Sequence, residues 1–355
     1  MQHKPNLGII GAGLTGLTLA YYLQHYYNIT LLEARERIGG RIYTKRSSND
    51  TPVEMGATWL GQQHSALQTL LKELQLPVFE QHLGTTAIYE PLSTSPHQIV
   101  QLPPNNDPSF RIVGGTDTII TTLTKKIGRT AIHCKEHVTA ITQDQNEIIV
   151  RTSEKTHIFQ YVVNTLPPAL FNATVEVTPN LPDTFKDIAS QTHTWMADSI
   201  KIAFTFATPF WRKNDLSGTV FSNVGPIGEF YDHSDASDNY YALKGFFNAA
   251  YHHLKQNERK AMALSQLEKF FGSEIHSYLS YEEVVWRKEP ETFTSYPEPI
   301  FPHQNNGASA FAVSYLNNRL YFAGTETQTK FSGYMEGAIR SAKSVAKILL
   351  TQSKK

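Results

Sequence analysis

A glycine-rich turn stands between two short apolar runs near the start of the chain, in the sequence NLGIIGAGLTGLTLAYYLQHYYNITLLEARERIGGR. The run from Leu7 to Ile10 is typical of a buried strand, and the apolar spacing from Leu14 to Tyr27 predicts a helix. The run from Asn28 to Glu33 predicts a second strand because it is again β-branched and apolar. This order of elements is that of a βαβ unit, and it predicts an α/β fold.

The turn itself carries the pattern G-x-G-x-x-G, formed by Gly11, Gly13 and Gly16. One glycine permits the tight turn, one lets the backbone approach a pyrophosphate, and one lets the helix pack closely on the strand. The following helix offers free N–H groups and a partial positive charge to the anion. Glu33 ends the second strand, where its carboxylate can accept hydrogen bonds from both ribose hydroxyls. The pattern therefore predicts a dinucleotide site, for either NAD or FAD.

Composition narrows the class of protein. The 355 residues are enough for two domains, and 32 basic side chains balance 32 acidic ones. Without a basic excess, nucleic acids and anionic membranes are disfavoured as partners. No run of about eighteen apolar residues predicts a membrane span, and the only cysteine, Cys134, favours a reducing compartment. The histidines lack ligand spacing, so we predict a soluble, cytoplasmic protein without a structural metal.

The residues after Glu33 distinguish between the two dinucleotides. The loop ARERIGGR brings Arg35, Gly40 and Arg41 directly after the strand, and two glycines flanked by arginines suit a loop that covers a pyrophosphate. Further along, VEMGATWLG carries small residues at 56 and 57 that leave room for a ring system. With E-R-x-G-G-R after the ribose acid, the chain resembles the flavin-containing amine oxidases, which include monoamine, polyamine and L-amino-acid oxidases. The resemblance implies FAD as the cofactor.

The resemblance covers most of the chain. HVTAITQDQ resembles the strand in which a valine, here Val138, meets the adenine, and ADSIKIAFTFATPFW resembles the strand that carries a lysine, here Lys201, near flavin N5. WRKEPETFTSY resembles the segment that leads from a tryptophan, Trp286, to an active-site aromatic residue, Tyr296. YFAGTETQTKFSGYMEGAIRSA matches the family's last flavin-binding motif and is the most specific match.

That last motif implies that Glu326 points towards the ribityl chain of the flavin, and that a helix starting near Gly333 points its N-terminus at the ring. Together, the glycine pattern and the resemblance predict these cofactor-binding residues: Gly11, Gly13, Leu14, Thr15, Gly16, Glu33, Ala34, Arg35, Gly40, Arg41, Gly56, Ala57, Thr58, Trp59, Val138, Trp286, Gly324, Glu326, Gly333, Tyr334, Met335 and Ala338.

The implied chemistry is the oxidation of an amine. A hydride moves from the carbon that bears nitrogen to flavin N5, an imine leaves and is hydrolysed, and O2 reoxidises the flavin to give hydrogen peroxide. Three catalytic residues are implied. Tyr296 and Tyr334 form two facing rings that guide the amine, and Lys201 holds a water against N5. The predicted partners are a small amine and O2, and the oligomeric state is left open.

Two departures from the family pattern matter. Monoamine oxidases attach FAD through a cysteine just before the first cage tyrosine, but that position is Ser295 here, so we predict non-covalent FAD. The chain is also short between QLPVFEQHL and FRIVGG, where relatives often have a helical substrate subdomain. Proline and polar residues in this stretch predict loops or a hairpin, and hence a pocket that is either more open or covered by a partner.

The expected architecture is an α/β protein with two domains. A Rossmann-like FAD-binding domain of the GR2 type is built from 1–77, 111–190 and 310–355, and a mixed-sheet α+β substrate domain from 78–110 and 191–309. In the second domain, strands are predicted in SIKIAFTF, GTVFSN, YYALKGFF and YEEVVWRK, and a helix over 254–271.

Other functions stay open at this stage. A related flavoenzyme could desaturate a C–C bond, as phytoene- and protoporphyrinogen-oxidising relatives do. An amino-acid oxidase would need an arginine for the substrate carboxylate, and Arg212 and Arg287 are the candidates. A non-catalytic FAD-binding scaffold is a third possibility. Lys201, Tyr296 and Tyr334 favour the amine.

Overall fold

The computed structural model describes residues 4–352, so the outermost residues of the predicted FAD-binding segments, 1–3 and 353–355, lie outside the described range. The strands in this range are β1 Asn6–Ile10, β2 Asn28–Glu33, β3 Thr44–Arg46, β4 Pro52–Glu54, β5 Val78–Glu80, β6 Thr86–Glu90, β7 Gln98–Gln101, β8 Phe110–Ile112, β9 Ile132–Cys134, β10 Val138–Asp144, β11 Glu147–Thr152, β12 Thr156–Phe159, β13 Tyr161–Asn164, β14 Glu176–Thr178, β15 Ile200–Phe206, β16 Val220–Ser222, β17 Ile227–Asp232, β18 Tyr241–Phe247, β19 Ser280–Val285 and β20 Leu320–Phe322. The α-helices are α1 Leu14–Leu23, α2 Ser65–Glu73, α3 Asp117–Ile127, α4 Pro168–Thr174, α5 Asp183–Ser190, α6 Gln256–Phe271 and α7 Met335–Gln352.

A five-stranded sheet in the order β20-β13-β1-β2-β9 is parallel throughout. Side chains alternate between its two faces. Leu7 and Ile9 of β1 pack among apolar residues of α1 and α7, whereas Ile10 packs on the other side with Ile141 and Ile148 of the sheet β12-β11-β10-β14. Both faces are therefore buried, which explains why the run from Leu7 to Ile10 contains no polar side chain.

A larger, seven-stranded mixed sheet has the order β19-β15-β18-β17-β16-β6-β7. Strands β16 and β6 are parallel, and the other neighbours are antiparallel. Every residue of β15 is buried. Ile202 and Phe204 pack with apolar residues of α6, while Ala203 faces the opposite side and packs with Val53 and Met55. Lys201 shares that opposite face, because residues two apart in a strand point the same way. The sheet thus brings Lys201 to the segment that follows β4.

The predicted strands are present, but several boundaries differ, and the helix predicted over 254–271 begins at Gln256. The first helix ends at Leu23 instead of Tyr27, because Tyr27 turns into the core and its hydroxyl donates to the Leu349 carbonyl at 2.8 Å. The last helix begins at Met335 instead of Gly333, because Gly333 has φ +84°, outside the right-handed helical region. The strand predicted in YEEVVWRK ends at Val285, where a 3₁₀ turn begins.

The short stretch between β5 and β8 is a hairpin, as predicted. Strands β6 and β7 pair antiparallel, and β6 also pairs with β16, so the hairpin extends the seven-stranded sheet at one edge. Between residues 4 and 352, no helix is both long enough and apolar enough to cross a membrane. The same part of the chain brings no three potential metal ligands together.

Candidate active site

The glycine-rich turn after β1 depends on two tight approaches of the backbone. Gly11 has φ +100° and donates its N–H to the Leu32 carbonyl at 2.8 Å. A Cβ added at Gly16 would lie 2.0 Å from the carbonyl oxygen of Gly11, so only glycine lets α1 pack this closely on β1. At Gly13 an added Cβ would meet nothing nearer than the Gly40 Cα, at 3.9 Å, so a methyl group there would make only ordinary van der Waals contacts.

The loop with two glycines packs directly on that turn. Gly39 donates its N–H to the Ala12 carbonyl at 2.9 Å, and Gly13 and Gly39 form a parallel β-bridge. The Arg37 guanidinium donates to the Gly40 carbonyl at 2.9 Å and closes the loop. Among the described residues, no side chain caps the N-terminus of α1 and its first turn carries no acid. The two loops therefore form one backbone wall with unsatisfied N–H groups at its centre.

Glu33 is only 4% exposed and lies at the end of β2. One carboxylate oxygen accepts from the Ala12 N–H at 2.9 Å, and the other from the Arg35 N–H at 3.0 Å. A carboxylate offers about four acceptor positions, so each oxygen can accept one further hydrogen bond. The geometry therefore fixes Glu33 beside the turn and leaves it able to bind a pair of hydroxyls.

Arg41 and Glu326 bind each other, although 285 residues separate them along the chain. The guanidinium makes a two-pronged ion pair with the carboxylate, whose second contact is 3.0 Å. Arg41 was expected at a pyrophosphate and Glu326 at a ribityl chain. Glu326 is 1% exposed and does not line the cleft described next. A carboxylate this deeply buried needs a cationic partner, and Arg41 is that partner.

An elongated cleft with about 1040 Å³ of empty space, partly open to solvent, runs past both loops to the start of α7. Most of the predicted cofactor-binding residues line it: Gly11, Gly13, Leu14, Thr15, Glu33, Ala34, Arg35, Gly40, Arg41, Ala57, Val138, Gly324, Gly333, Tyr334, Met335 and Ala338. Gly16 lies behind the wall as a packing residue.

Sequence reasoning missed part of this wall. The missed residues are Ile10, Leu32, Ile42, Glu136, His137, Thr165, Leu166, Pro167, Leu170, Thr174, Glu291, Thr292 and Thr325. Thr165 directly follows β13, the parallel neighbour of β1. Because ligands bind at the carboxyl ends of parallel strands, the turn after β13 was the one signal that could have identified this part of the wall.

A second cavity, with about 1710 Å³ of empty space, opens from the same region. It shares Arg41, Ala57 and residues 333–335 with the cleft. The other predicted cofactor residues, Gly56, Thr58, Trp59 and Trp286, line this cavity instead. Rings of Trp59, Trp195, Phe246, Phe247, Trp286 and Tyr334 form much of its wall, and we call it the aromatic cavity.

The ring that stacks beside Tyr334 is Trp195, with the centroids 6.4 Å apart and the planes inclined by 25°. Gly333 permits this approach, since a Cβ there would lie 2.5 Å from the Cβ of Trp195. The expected facing pair of Tyr296 and Tyr334 is not found. Tyr296 lines a neighbouring cavity, where its hydroxyl accepts the Thr194 N–H at 2.9 Å. That bond holds the loop that carries Trp195, and sequence reasoning did not single out this tryptophan.

Lys201 lines the aromatic cavity and is 6% exposed. Its ammonium donates to the Gly56 carbonyl and lies 5.2 Å from the centre of the Phe246 ring. Burial lowers the pKa of Lys201 to about 8, and the carboxylate of Glu54 acts in the opposite direction. Lys201 is therefore a buried amine that gains or loses its proton close to physiological pH.

A second buried lysine, Lys244, lies on the adjacent strand β18 and was not predicted as a site residue. It donates to the Thr58 hydroxyl and lies 4.9 Å from the centre of the Trp59 ring. Burial, followed by the nearby charge of Lys201, holds the pKa of Lys244 well below its usual range. The two lysines thus attach the segment 56–59, which lines both cavities, to the seven-stranded sheet.

A glycine turn between a parallel strand and a helix, with an acid at the end of the next strand, defines a dinucleotide-binding protein. Residues 14–107 and 102–350 match the family model described as flavin containing amine oxidoreductase. The chain belongs to this family. The sequence-based prediction of a flavin-dependent amine oxidase is confirmed.

Individual relatives are similar over nearly the whole chain. Amine oxidase [flavin-containing] A of Equus caballus is 24% identical over 457 residues, covering 98% of this chain and 85% of the relative. Amine oxidase [flavin-containing] B of Homo sapiens is 22% identical, covering 99% and 87%. Among solved structures, cyclohexylamine oxidase from Brevibacterium oxydans has a TM-score of 0.86 at 17% identity, covering 99% of this chain and 100% of that one. Putrescine oxidase bound to putrescine has a TM-score of 0.85 at 18% identity, covering 98% and 99%.

Proposed function

We propose that this enzyme holds FAD non-covalently in the cleft and oxidises a small primary amine in the aromatic cavity, with O2 as the electron acceptor. The observation that carries the proposal is the meeting of the two cavities at Ala57 and residues 333–335. A cofactor that fills the cleft would end where the substrate cavity begins. A bound flavin supplies the two-electron oxidation of the amine.

The cleft residues fit FAD from one end to the other. Unsatisfied N–H groups at the start of α1 would bind the phosphates, and the free acceptor positions of Glu33 would bind the ribose hydroxyls. The N-terminus of α7 would stabilise negative charge on the ring by about 0.3–1 kcal/mol, and by up to ~2 kcal/mol when partly buried. Glu336 in that first turn does not oppose this, because its carboxylate is bound by the Ala66 and Leu67 N–H groups and by Arg340.

The aromatic cavity suits a neutral amine with an apolar body. Trp195 and Tyr334 would orient it, and the remaining rings would exclude water. Lys201 would hold a water or move a proton, since its pKa of about 8 makes both protonation states accessible. The substrates in the names of the structural neighbours, putrescine and cyclohexylamine, are small amines and support this class.

An amino-acid substrate is less well supported. Arg212 is bound by Asp232 and Asp238, each at 2.7 Å, and so has no free charge for a substrate carboxylate. Arg287 lines the neighbouring cavity with Tyr296. Neither arginine lines the aromatic cavity.

The domain boundaries predicted from the sequence and a cytoplasmic location are further proposals.

The decisive experiment is anaerobic titration of the purified enzyme with amines, polyamines and amino acids, followed by the loss of flavin absorbance. We expect at least one primary amine to reduce the flavin, and air to restore the absorbance with release of hydrogen peroxide. Reduction only in a parallel anaerobic titration with a substrate that is oxidised at a C–C bond would support the desaturase alternative. Failure of every substrate class to reduce the flavin would leave the scaffold alternative.

The flavin is expected to separate from the protein on denaturation, because Ser295 cannot form the thioether that a cysteine forms. Acid precipitation should leave the yellow colour in the supernatant, and mass spectrometry should identify FAD there. The precipitated protein should show the mass of the unmodified chain. Flavin in the pellet would contradict non-covalent binding.

Trp195→Ala should lower kcat/KM for the best amine by about tenfold, because an aromatic pair contributes ~0.5–1.5 kcal/mol beyond the apolar area that is lost with it. Tyr296→Phe is the matched control. It removes only the hydroxyl that accepts the Thr194 N–H, so we expect a stability loss of about 1 kcal/mol and a kcat/KM within about threefold. A larger fall in kcat/KM for Tyr296→Phe than for Trp195→Ala would instead indicate that Tyr296 is one of the rings that guide the amine.

A further inference from the structure

Two lysines are buried in the seven-stranded sheet, but only one of them opens on a cavity. Lys244 is 1% exposed and is absent from the residues that line the aromatic cavity. It lies behind Trp59 and Thr58, which it contacts. Lys201 is the only lysine among the described residues that line this cavity. The cavity therefore presents one primary amine to whatever it contains.

The proposed reaction supplies an electrophile for that amine. Oxidation of a primary amine followed by hydrolysis of the imine yields an aldehyde, or a ketone when the oxidised carbon is branched, and a carbonyl product that enters the cavity meets Lys201, which lines it. Aldehydes react with neutral primary amines, and a buried lysine supplies a neutral amine more readily than an exposed one. The aromatic walls also favour the loss of water from the adduct.

We propose that Lys201 is a carbonyl-binding residue that forms a reversible imine with the aldehyde product. Nζ adds to the carbonyl carbon to give a carbinolamine, and a C–N bond forms as the C=O double bond becomes single. The oxygen then leaves as water with the two amine hydrogens, and a C=N bond remains. No electrons are transferred, so no oxidant or reductant is needed. The proposal relies on the proposed function only for the identity of the aldehyde.

The charges around Lys201 support a neutral fraction at physiological pH. Glu54 is the acid that faces it, and burial raises the pKa of Glu54, which weakens the stabilisation of an ammonium. Lys244, Arg111 and His233 lie in the same buried cluster, and Arg41 shares the cavity wall. With a pKa of about 8, the neutral fraction of Lys201 rises from about a tenth at pH 7 to about nine tenths at pH 9.

The consequence is inhibition by the enzyme's own product. An imine on Lys201 fills the substrate cavity and removes the amine that would hold a water or move a proton. The inhibition should strengthen as the pH rises through about 8, because the neutral form reacts. Lys72 and Lys347 are exposed and offer an internal comparison.

The test traps the imine on the holoenzyme. The enzyme is incubated at pH 8 with butanal and sodium cyanoborohydride, digested, and mapped by mass spectrometry. We expect the Lys201 peptide to gain one butyl group at low butanal concentration, and Lys244 to stay unmodified. Between pH 7 and pH 9, labelling of Lys201 should rise about tenfold, in step with its neutral fraction. Labelling of exposed lysines without Lys201, or labelling of Lys201 that does not change with pH, would overturn the proposal.

This experiment separates the imine from the proposed oxidation, because the aldehyde is supplied directly and no turnover is required. Labelled Lys201 in an enzyme whose flavin no amine reduces would uphold the imine and contradict the proposed function. Unlabelled Lys201 in an active amine oxidase would do the opposite. The comparison uses the wild-type chain, and Lys201→Arg, which retains a charge but cannot form the imine, should lose the label at that peptide.

Discussion

Glu33→Gln is expected to weaken FAD binding by about 100-fold or more. Hydrogen bonds to a charged group contribute about 1.5–3 kcal/mol each, and the two ribose hydroxyls would lose their carboxylate acceptor. Each 1.4 kcal/mol corresponds to about tenfold in affinity. The amide also brings an N–H₂ group to a position where the Ala12 and Arg35 N–H groups both need an acceptor. Titration of the apoprotein with FAD, followed by flavin fluorescence, measures the change.

Glu90→Gln is the matched control for this substitution. Glu90 is also a buried carboxylate, but it lies on β6 and accepts from the Ser222 hydroxyl, outside the cleft. Its replacement should change stability by about 1 kcal/mol and leave the dissociation constant for FAD within about threefold. Equal effects of the two substitutions on FAD affinity would rule out the assignment of Glu33 to the ribose.

Gly16→Ala is expected to lower the stability of the fold, whereas Gly13→Ala is expected to weaken FAD binding. At Gly16 the new methyl group would lie 2.0 Å from a backbone oxygen, so α1 must move away from β1 at a cost of about 1–3 kcal/mol. We expect a fall in Tm of about 2–10 °C and loss of bound flavin. At Gly13, φ is −79° and the nearest atom is 3.9 Å away, so the fold accommodates alanine.

The methyl group at Gly13 instead enters the side from which a pyrophosphate would approach. We expect Gly13→Ala to keep its Tm within about 1 °C and to weaken FAD binding at least tenfold, since overpacking by one methyl costs about 1–3 kcal/mol. Calorimetry of the apoproteins and FAD titration separate the two effects. An apoprotein of Gly13→Ala that is as destabilised as that of Gly16→Ala would show that neither glycine faces the cofactor.

Local patterns carried the prediction of the family, which is confirmed. The glycine turn, Glu33 and the motif around Gly333 are short segments whose spacing follows from backbone geometry, and their roles at the cofactor stay predictions. The hairpin of β6 and β7 was also predictable, because proline and polar residues exclude a helix there. Even so, Tyr27 was assigned to a helix, since apolar periodicity does not distinguish the last helical turn from a residue that packs beyond it.

Relations between distant segments were not predictable. The bond between Thr194 and Tyr296 decides which ring reaches the cavity, and nothing in either segment reports the other. Arg41 and Glu326 bind each other only in the folded chain, and neither sequence segment indicates this ion pair. Each residue was therefore predicted to bind the cofactor instead. Lys244 gave a weaker signal. It stands in the apolar stretch YYALKGFF, and a lysine inside a strand that is buried on both sides indicates a specific partner.

The cleft has a consequence for biosynthesis. Many of its lining residues lie between positions 10 and 57, but others, including Gly324, Met335 and Ala338, lie near the end of the chain and are translated late. Since domains emerge from the ribosome in N- to C-terminal order, the nascent chain exposes Glu33 and the glycine turn long before these last residues exist. On the proposed function, the cleft can therefore enclose its cofactor only after most of the chain has been made. A chain truncated before Gly324 would lack this part of the lining.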